Sequence, residues 1–284
     1  MDLSRIVDSM INTAKENNPI EDGDYVDEEG LLCCGKCHTR KQIRLEILGK
    51  EATPMVPCEC RKAEIEKAEA EEKRLQKQNE MSIMRNACFH DRSMIDWTFD
   101  NDDGSNPRII SIAKRYVEKF QEMKKDHKGL LLFGNVGVGK TYVSACIANA
   151  LIEKGVPCMV TNFSRLVNTL WNLKEGKQEY LDDLNNYELL VIDDLASERN
   201  TEYMQEFVMQ VIDSRDRSGL PIIVTTNLTA EELKNPSDMQ KQRIYSRLLG
   251  MCIPIEVKGT DRRKSSLRND FKKYSDLLGL EENT

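Results

Sequence analysis

Short apolar runs punctuate the chain from residue 129 onward, and between them the apolar positions fall at helical spacing. Leu130-Leu131-Leu132-Phe133, Pro157 to Thr161, Leu189-Leu190-Val191-Ile192, Pro221 to Asn227 and Ile253 to Val257 each read as a strand. A short, continuous apolar run is how a strand buried on both faces of a parallel sheet reads. Tyr142 to Lys154 places Val143, Cys146, Ile147, Ala150 and Leu151 at helical spacing, and Phe163 to Leu173 does the same with Leu166, Val167 and Leu170. Further helices are expected over 107–124, Thr201 to Arg217 and Ser237 to Met251. The alternation predicts an α/β domain with a parallel sheet flanked by helices.

The upstream pattern is different. Leu3, Ile6, Val7, Met10 and Ile11 outline a short amphipathic helix within 3–15, and the acidic stretch 16–29 reads as a solvated connector. Residues 61–80 hold six basic and six acidic side chains and no Gly or Pro, which predicts a solvent-exposed helical spacer supported by charge pairs such as Glu69 with Lys73. Residues 81–107 carry Met81, Ile83, Met84, Phe89, Met94, Trp97 and Phe99, then a turn from Asp100 to Ser105. Core packing and a place beside a nucleotide base are equal readings of those apolar residues.

Composition narrows the class. The chain has 284 residues, 41 Lys plus Arg against 48 Asp plus Glu, and a net charge of -7, which argues against a broadly basic surface. A local nucleic-acid site remains open, because it depends on where the cations cluster. No apolar run approaches the roughly 20 residues that span a bilayer, and the N-terminal stretch lacks an export pattern. Nine cysteines without such a pattern point to a reducing, cytoplasmic setting and to metal rather than disulfides.

The candidate chemistry centres on Gly134-Asn135-Val136-Gly137-Val138-Gly139-Lys140-Thr141, a full match to G-x-x-x-x-G-K-[ST] set between an expected strand and an expected helix. Glycines let backbone N–H groups turn toward phosphate oxygens, and the helix N-terminus adds its positive dipole end. Lys140 would reach the β- and γ-phosphates, and the Thr141 hydroxyl would ligate Mg²⁺. Ligands collect at the carboxyl ends of parallel strands. Asp193 therefore belongs beside that Mg²⁺, and Asp194 is placed to orient an attacking water. Thr226 or Asn227, ending the next run, would project toward the γ-phosphate. Arg243 and Arg247 share a helical face, from which an arginine can be presented to a neighbouring subunit's nucleotide. Residues 261–273 are locally basic. A nucleotide kinase would need an arginine-rich lid and an acceptor pocket, for which the sequence offers no counterpart.

A second constellation lies upstream. Cys33, Cys34 and Cys37 are followed by Cys58 and Cys60, across a gap that holds a possible hairpin from Gln42 to Leu48, a turn near Gly49, and a return through Met55 and Val56. Cys34, Cys37, Cys58 and Cys60 suit a closed tetrahedral Zn²⁺ site, with Cys33 or His38 as a possible replacement for one ligand. Such a site lets a module too small for its own core fold.

In this order, GNVGVGKT, LLVIDDL, IIVTTN and RIYSRL resemble the AAA+ ATPase domain of DnaC-type replicative helicase loaders, a domain shared with IstB transposition helpers. The resemblance covers roughly residues 81–270. The cysteine cluster, the charged helix and Trp97-Thr98-Phe99 look most like DnaC-like loaders of phages and mobile elements. The cluster is also similar to the zinc-bearing N-terminal domain of DnaI-type loaders. Carried over residue by residue, the resemblance implies Walker A at Gly134–Thr141, Walker B at Asp193 and Asp194, sensor 1 at Asn227, an arginine finger at Arg247 with Arg243 as second candidate, and sensor 2 at Arg263. Asp194 stands where many AAA+ proteins have Glu. The implied organisation is a helicase-docking zinc module at 1–60, a helical linker at 61–80 and an AAA+ ATPase domain at 81–284. The implied activity is that of a weak ATPase, with ATP, Mg²⁺ and Zn²⁺ as cofactors. Protomers would assemble into a ring or spiral around single-stranded DNA and deliver a hexameric replicative helicase to it, with no membrane involved. The nearest alternative is an IstB-type helper that acts on duplex DNA with a transposase.

Overall fold

A computed structural model describes residues 13–47, 50–195, 202–262, 274–275 and 277–278. It divides into two compact units, Met1–Asn79 and Glu80–Thr284. The amphipathic helix expected over 3–15 lies largely outside the described residues, as does most of the basic stretch 261–273.

In the first unit, β1 (Tyr25–Val26) pairs antiparallel with β2 (Leu32–Cys33). The Asp27 carboxylate accepts from the backbone N–H groups of Glu29 and Leu31, both at 3.0 Å, and so fixes the turn between them. The expected hairpin is present in a shorter form, with β3 (Leu45–Ile47) against β4 (Lys50–Ala52) and a further bridge from Gln42 to Met55. Its turn lies outside the described residues. The acidic stretch is not wholly solvated, because Asp24 and Lys41 form a buried ion pair at 2.7 Å with side chains only 2% and 5% exposed. Hydrogen bonding to Lys41 and to the N–H of Glu21 pulls the Asp24 carboxyl down to about 2. Among the described residues apolar burial is sparse here: Leu31, Met55 and three cysteines.

Helix α1 (Glu59–Cys88) has 30 residues, and the division between the units falls within it. It is longer than the spacer expected over 61–80, because no Gly or Pro occurs between Pro57 and Gly104 to stop it. Its length is almost entirely exposed until Cys88 reaches the core of the second unit.

The second unit is the expected α/β fold. A 3-10 turn (Arg92–Asp96) leads to α2 (Pro107–Glu118), which starts at an Asn106 cap with Pro107 in its first turn. The single helix expected over 107–124 is broken at Lys119, and α3 (Phe120–Lys125) follows. Then come β5 (Gly129–Phe133), α4 (Lys140–Glu153), β6 (Cys158–Asn162), α5 (Phe163–Asn172) and α6 (Lys177–Leu184). The chain continues with β7 (Leu189–Leu195), α7 (Glu202–Ser218), β8 (Ile222–Thr226), α8 (Ala230–Lys234), α9 (Met239–Met251) and β9 (Cys252–Glu256). The strands form one parallel sheet in the order β6-β7-β8-β5-β9.

Strand parity builds two cores from the apolar runs. Leu130, Leu132, Leu189, Val191 and Ile223 pack with Ile147, Ala148 and Leu151 of α4 on one face. Leu131, Leu190, Ile192, Ile222 and Val224 pack with residues of α5, α7 and α9 on the other, including Leu166, Leu170, Val211 and Leu248. Each fully buried Leu, Val or Ile side chain contributes about 1.5–3 kcal/mol relative to exposure. Arg215 is fully buried and reaches backbone carbonyls of Leu184, Tyr187, Glu188 and Pro221 at 2.9–3.4 Å. It thereby ties the α6–β7 connection to the start of β8, and burial lowers its pKa to about 10. No helix among the described residues is long and apolar enough to cross a membrane.

Candidate functional site

The loop Gly134–Gly139 joins the carboxyl end of β5 to the first residue of α4. Gly137 and Gly139 have φ values of 79° and 95°, a region that disfavours a side chain. Gly139 caps α4 without a side-chain hydrogen bond, so the first-turn N–H groups are not engaged by a side-chain cap and can serve an anion. Val138 is buried in the core and anchors the loop, whereas Asn135 and Val136 are exposed.

The working side chains converge. Lys140, 7% exposed, donates to the carbonyls of Gly134 (2.9 Å) and Asn135 (2.7 Å) and to Asn227 Oδ1 (2.8 Å). The Thr141 hydroxyl donates to Asp193 Oδ1 at 2.8 Å. Burial raises the Asp193 pKa, and the hydroxyls of Thr225 and Thr141 oppose that shift by hydrogen bonding. Asp194 sits at a register shift between Ile192 and Leu195 with φ of 64°. Asn227 Nδ2 donates to Asp194 Oδ1 at 3.1 Å. Asn227 therefore links Lys140 to Asp194 through the two ends of one amide. Of the pair Thr226 and Asn227 expected at the strand end, Thr226 is turned away: it is fully buried and donates to the Leu195 carbonyl at 3.0 Å. Parity instead turns Thr225 to the site.

Lys140, Thr141, Asp194, Thr225 and Asn227 line a cleft of about 310 Å³ together with Trp97 and Tyr142, whose rings lie 5.8 Å apart. Arg262 also lines it. The Arg262 guanidinium lies over the Tyr142 ring and 3.4 Å from Asp103, and the Arg262 backbone N–H donates to the Gly137 carbonyl at 3.0 Å. Arg263, the residue expected from sequence, lies outside the described residues. The expected turn at Asp100–Ser105 therefore also supplies a carboxylate partner for Arg262.

Arg243 and Arg247 are not brought to this cleft. Arg247 is ion-paired to Asp213 of α7 at 2.6 Å, and Arg243 is exposed with no ion-pair partner among the described residues.

In the first unit the Sγ atoms of Cys34, Cys37, Cys58 and Cys60 all lie within 4.8 Å of one another. Cys34 and Cys60 are 3.6 Å apart, and Cys58 and Cys60 are 3.3 Å apart. Zn–S bonds of about 2.3 Å in a tetrahedron require sulfurs about 3.8 Å apart, so the four thiolates fit Zn²⁺. Cys33 points elsewhere, toward Asp27 and the Leu31 carbonyl, and His38 packs on Tyr25. Neither belongs to the group of four. The Thr141 hydroxyl and the Asp193 carboxylate are adjacent hard oxygen donors and fit Mg²⁺.

A family model described as IstB-like ATP binding protein matches residues 62–269. The chain is 27% identical over 206 residues to the replicative helicase loader DnaI of Bacillus subtilis, covering 67% of this chain and 66% of that relative. It is 29% identical over 143 residues to the replicative helicase loader DnaC of Escherichia coli K12, covering 49% of this chain and 56% of that relative. The match thus spans less than two thirds of either relative. A crystal structure of DnaI superposes with a TM-score of 0.52 at 28% identity, over 63% of this chain and 99% of that one. A DnaC helicase loader structure is similar in fold, with a TM-score of 0.51 at 24% identity, over 59% of this chain and all of that one.

Proposed function

The chain belongs to the family of IstB-like ATP binding proteins, with the AAA+ P-loop fold, and on that premise we propose that it loads a ring-shaped replicative DNA helicase onto single-stranded DNA under the control of ATP. The observation that carries this reading is the linked constellation in the cleft. Lys140, Asn227 and Asp194 form one hydrogen-bonded chain, and Thr141 and Asp193 form a second beside it. The names of the relatives support the helicase as partner.

In this reading ATP takes Lys140 from the Gly134 and Asn135 carbonyls, which its β- and γ-phosphate oxygens replace as acceptors. Thr141 and Asp193 hold Mg²⁺, which when bound neutralises phosphate charge. Asp194 orients a water for in-line attack on the γ-phosphorus, and Asn227 is poised to contact that phosphate. The P–O bond to ADP breaks as the bond to water forms, and phosphate departs with the water's oxygen. An arginine from a neighbouring protomer completes the site. Arg243 is exposed and available, whereas Arg247 must first leave Asp213. Hydrolysis is slow and serves release rather than turnover. Protomers assemble side by side as a ring or spiral and hold single-stranded DNA through phosphate contacts. Residues 1–60 with the zinc site dock the helicase, 61–80 act as the linker, and 81–284 form the ATPase.

The family description favours a second reading, an IstB-type helper that acts on duplex DNA in transposition. The four-cysteine cluster speaks for the loader, because such helpers typically lack a zinc module. Incubating the full chain with the replicative helicase of its host, circular single-stranded DNA and ATP separates them. The loader transfers helicase to the circle in an ATP-dependent manner. Failure to capture helicase, with ATP-dependent assembly on duplex DNA instead, would overturn the loader reading.

A further inference from the structure

We propose that Thr225 is a positioning residue that sets both carboxylates of the site through one hydroxyl. Its Oγ1 lies 2.5 Å from Asp193 Oδ1 and 2.9 Å from the backbone nitrogen of Asp194. The roles are fixed by chemistry. A backbone N–H can only donate, so Thr225 accepts there. The carboxylate can only accept, so the single hydroxyl proton of Thr225 goes to Asp193. The side chain is 2% exposed and stands on the α4 side of β8, two residues after Ile223 of the same core.

The two contacts do different work. The bond to Asp193 holds that carboxylate from β8, while Thr141 holds it from the first turn of α4. Asp193 is thus oriented before nucleotide arrives. The bond from Asp194 lies at the register shift, where a non-glycine residue adopts φ of 64°. That left-handed conformation is disfavoured unless surrounding contacts impose it. It also brings Asp194 Oδ1 to Asn227. Thr225 is one of the groups that impose it. Its loss frees the bulge to relax and moves Asp194 off Asn227, with Asp193 losing one of its two hydroxyl donors. Supporting groups that orient metal ligands typically change metal affinity or activity by about 10–100-fold when removed.

This inference rests on the reading of Asp193 as the Mg²⁺ ligand and Asp194 as the residue that orients water. The test uses the full chain with Thr225→Val, which keeps shape and loses the hydroxyl, Thr225→Ala as a second hydroxyl-free variant, and Thr225→Ser, which keeps the hydroxyl. Affinity for a fluorescent ATP analogue is measured in EDTA and in Mg²⁺, and single-turnover ATP hydrolysis is measured alongside. In Val and Ala the EDTA affinity stays close to wild type. The gain in affinity on adding Mg²⁺ and the hydrolysis rate each fall by about 10–100-fold, and Ser restores both. A Val or Ala variant with the wild-type Mg²⁺ gain, or a Ser variant as impaired as Val, overturns the proposal. A wild-type chain that binds equally with and without Mg²⁺ overturns it at its premise. A wild-type chain that shows the Mg²⁺ gain but never hydrolyses ATP sinks the ATPase reading alone, and the binding data still decide the role of Thr225.

Discussion

The two units reach a defined structure by opposite means. The second has a sheet buried on both faces, with alternate residues of each central strand feeding two separate cores. Its site is strung along the carboxyl ends of β5, β7 and β8, on elements that would stand without any ligand. Among its described residues, the first unit has two short antiparallel pairs, one buried ion pair and four converging thiols. There the site and the fold are the same object. On the zinc reading, a ligand is an addition to the second unit and a structural requirement of the first.

Removing metal is the sharpest way to break this contrast. Cys37→Ser, Cys60→Ser or a chelator removes an apparent binding free energy of about 10 kcal/mol or more, typical of structural zinc modules. Hydrogen exchange is expected to lose protection over residues 24–60 while β5, β7 and β8 stay protected. A metal-free chain whose first unit keeps its protection would remove the contrast.

A milder blow strikes the second unit from within. Arg215→Leu removes the donors that satisfy carbonyls in the connections to β7 and β8, at a cost of about 2–4 kcal/mol. Denaturant melting of the second unit reports that loss, and the metal content of the first unit stays at wild type. Equal stability of the variant would show that those carbonyls find other partners.

How much of this was readable in advance follows the same division. Lys140, Thr141 and Asp193 sit in or beside contiguous motifs, and local order alone brings them to one edge of a parallel sheet. At the end of β8 the motif points to Thr226 or Asn227, and only Asn227 reaches the cleft; Thr225 carries no motif signal, although counting alternate positions from Ile223 turns it to the α4 side. Arg215 was hidden because a charged residue late in a helix reads as solvent-facing, and its partners lie about 28 residues upstream and six downstream. Spacing put Arg243 and Arg247 on one face, but the pairing of Arg247 with Asp213 depends on how α9 packs against α7. In the first unit, the Cys34-x2-Cys37 spacing pointed to a candidate metal site. Spacing already named Cys58 and Cys60 as the second pair, with Cys33 or His38 as a replacement for one ligand, and the fold gathers the four without either replacement.

The smallest effect on stability concerns that arginine pair. The Arg247–Asp213 contact is about a third exposed, so Arg247→Ala is expected to cost at most about 1 kcal/mol. Nucleotide affinity stays near wild type in both Arg247→Ala and Arg243→Ala. The variant that loses ATP-dependent assembly identifies the arginine that serves the neighbouring site, and full assembly in both would remove that role from this helix.

Lys140 decides whether the cleft is a nucleotide site. Calorimetric titration of ATP with Mg²⁺ into the full chain is expected to give one site per chain. Lys140→Ala is expected to abolish binding, with the melting midpoint of the nucleotide-free protein little changed. A folded Lys140→Ala variant that binds ATP as the wild type does would contradict the assignment on which every later step is built.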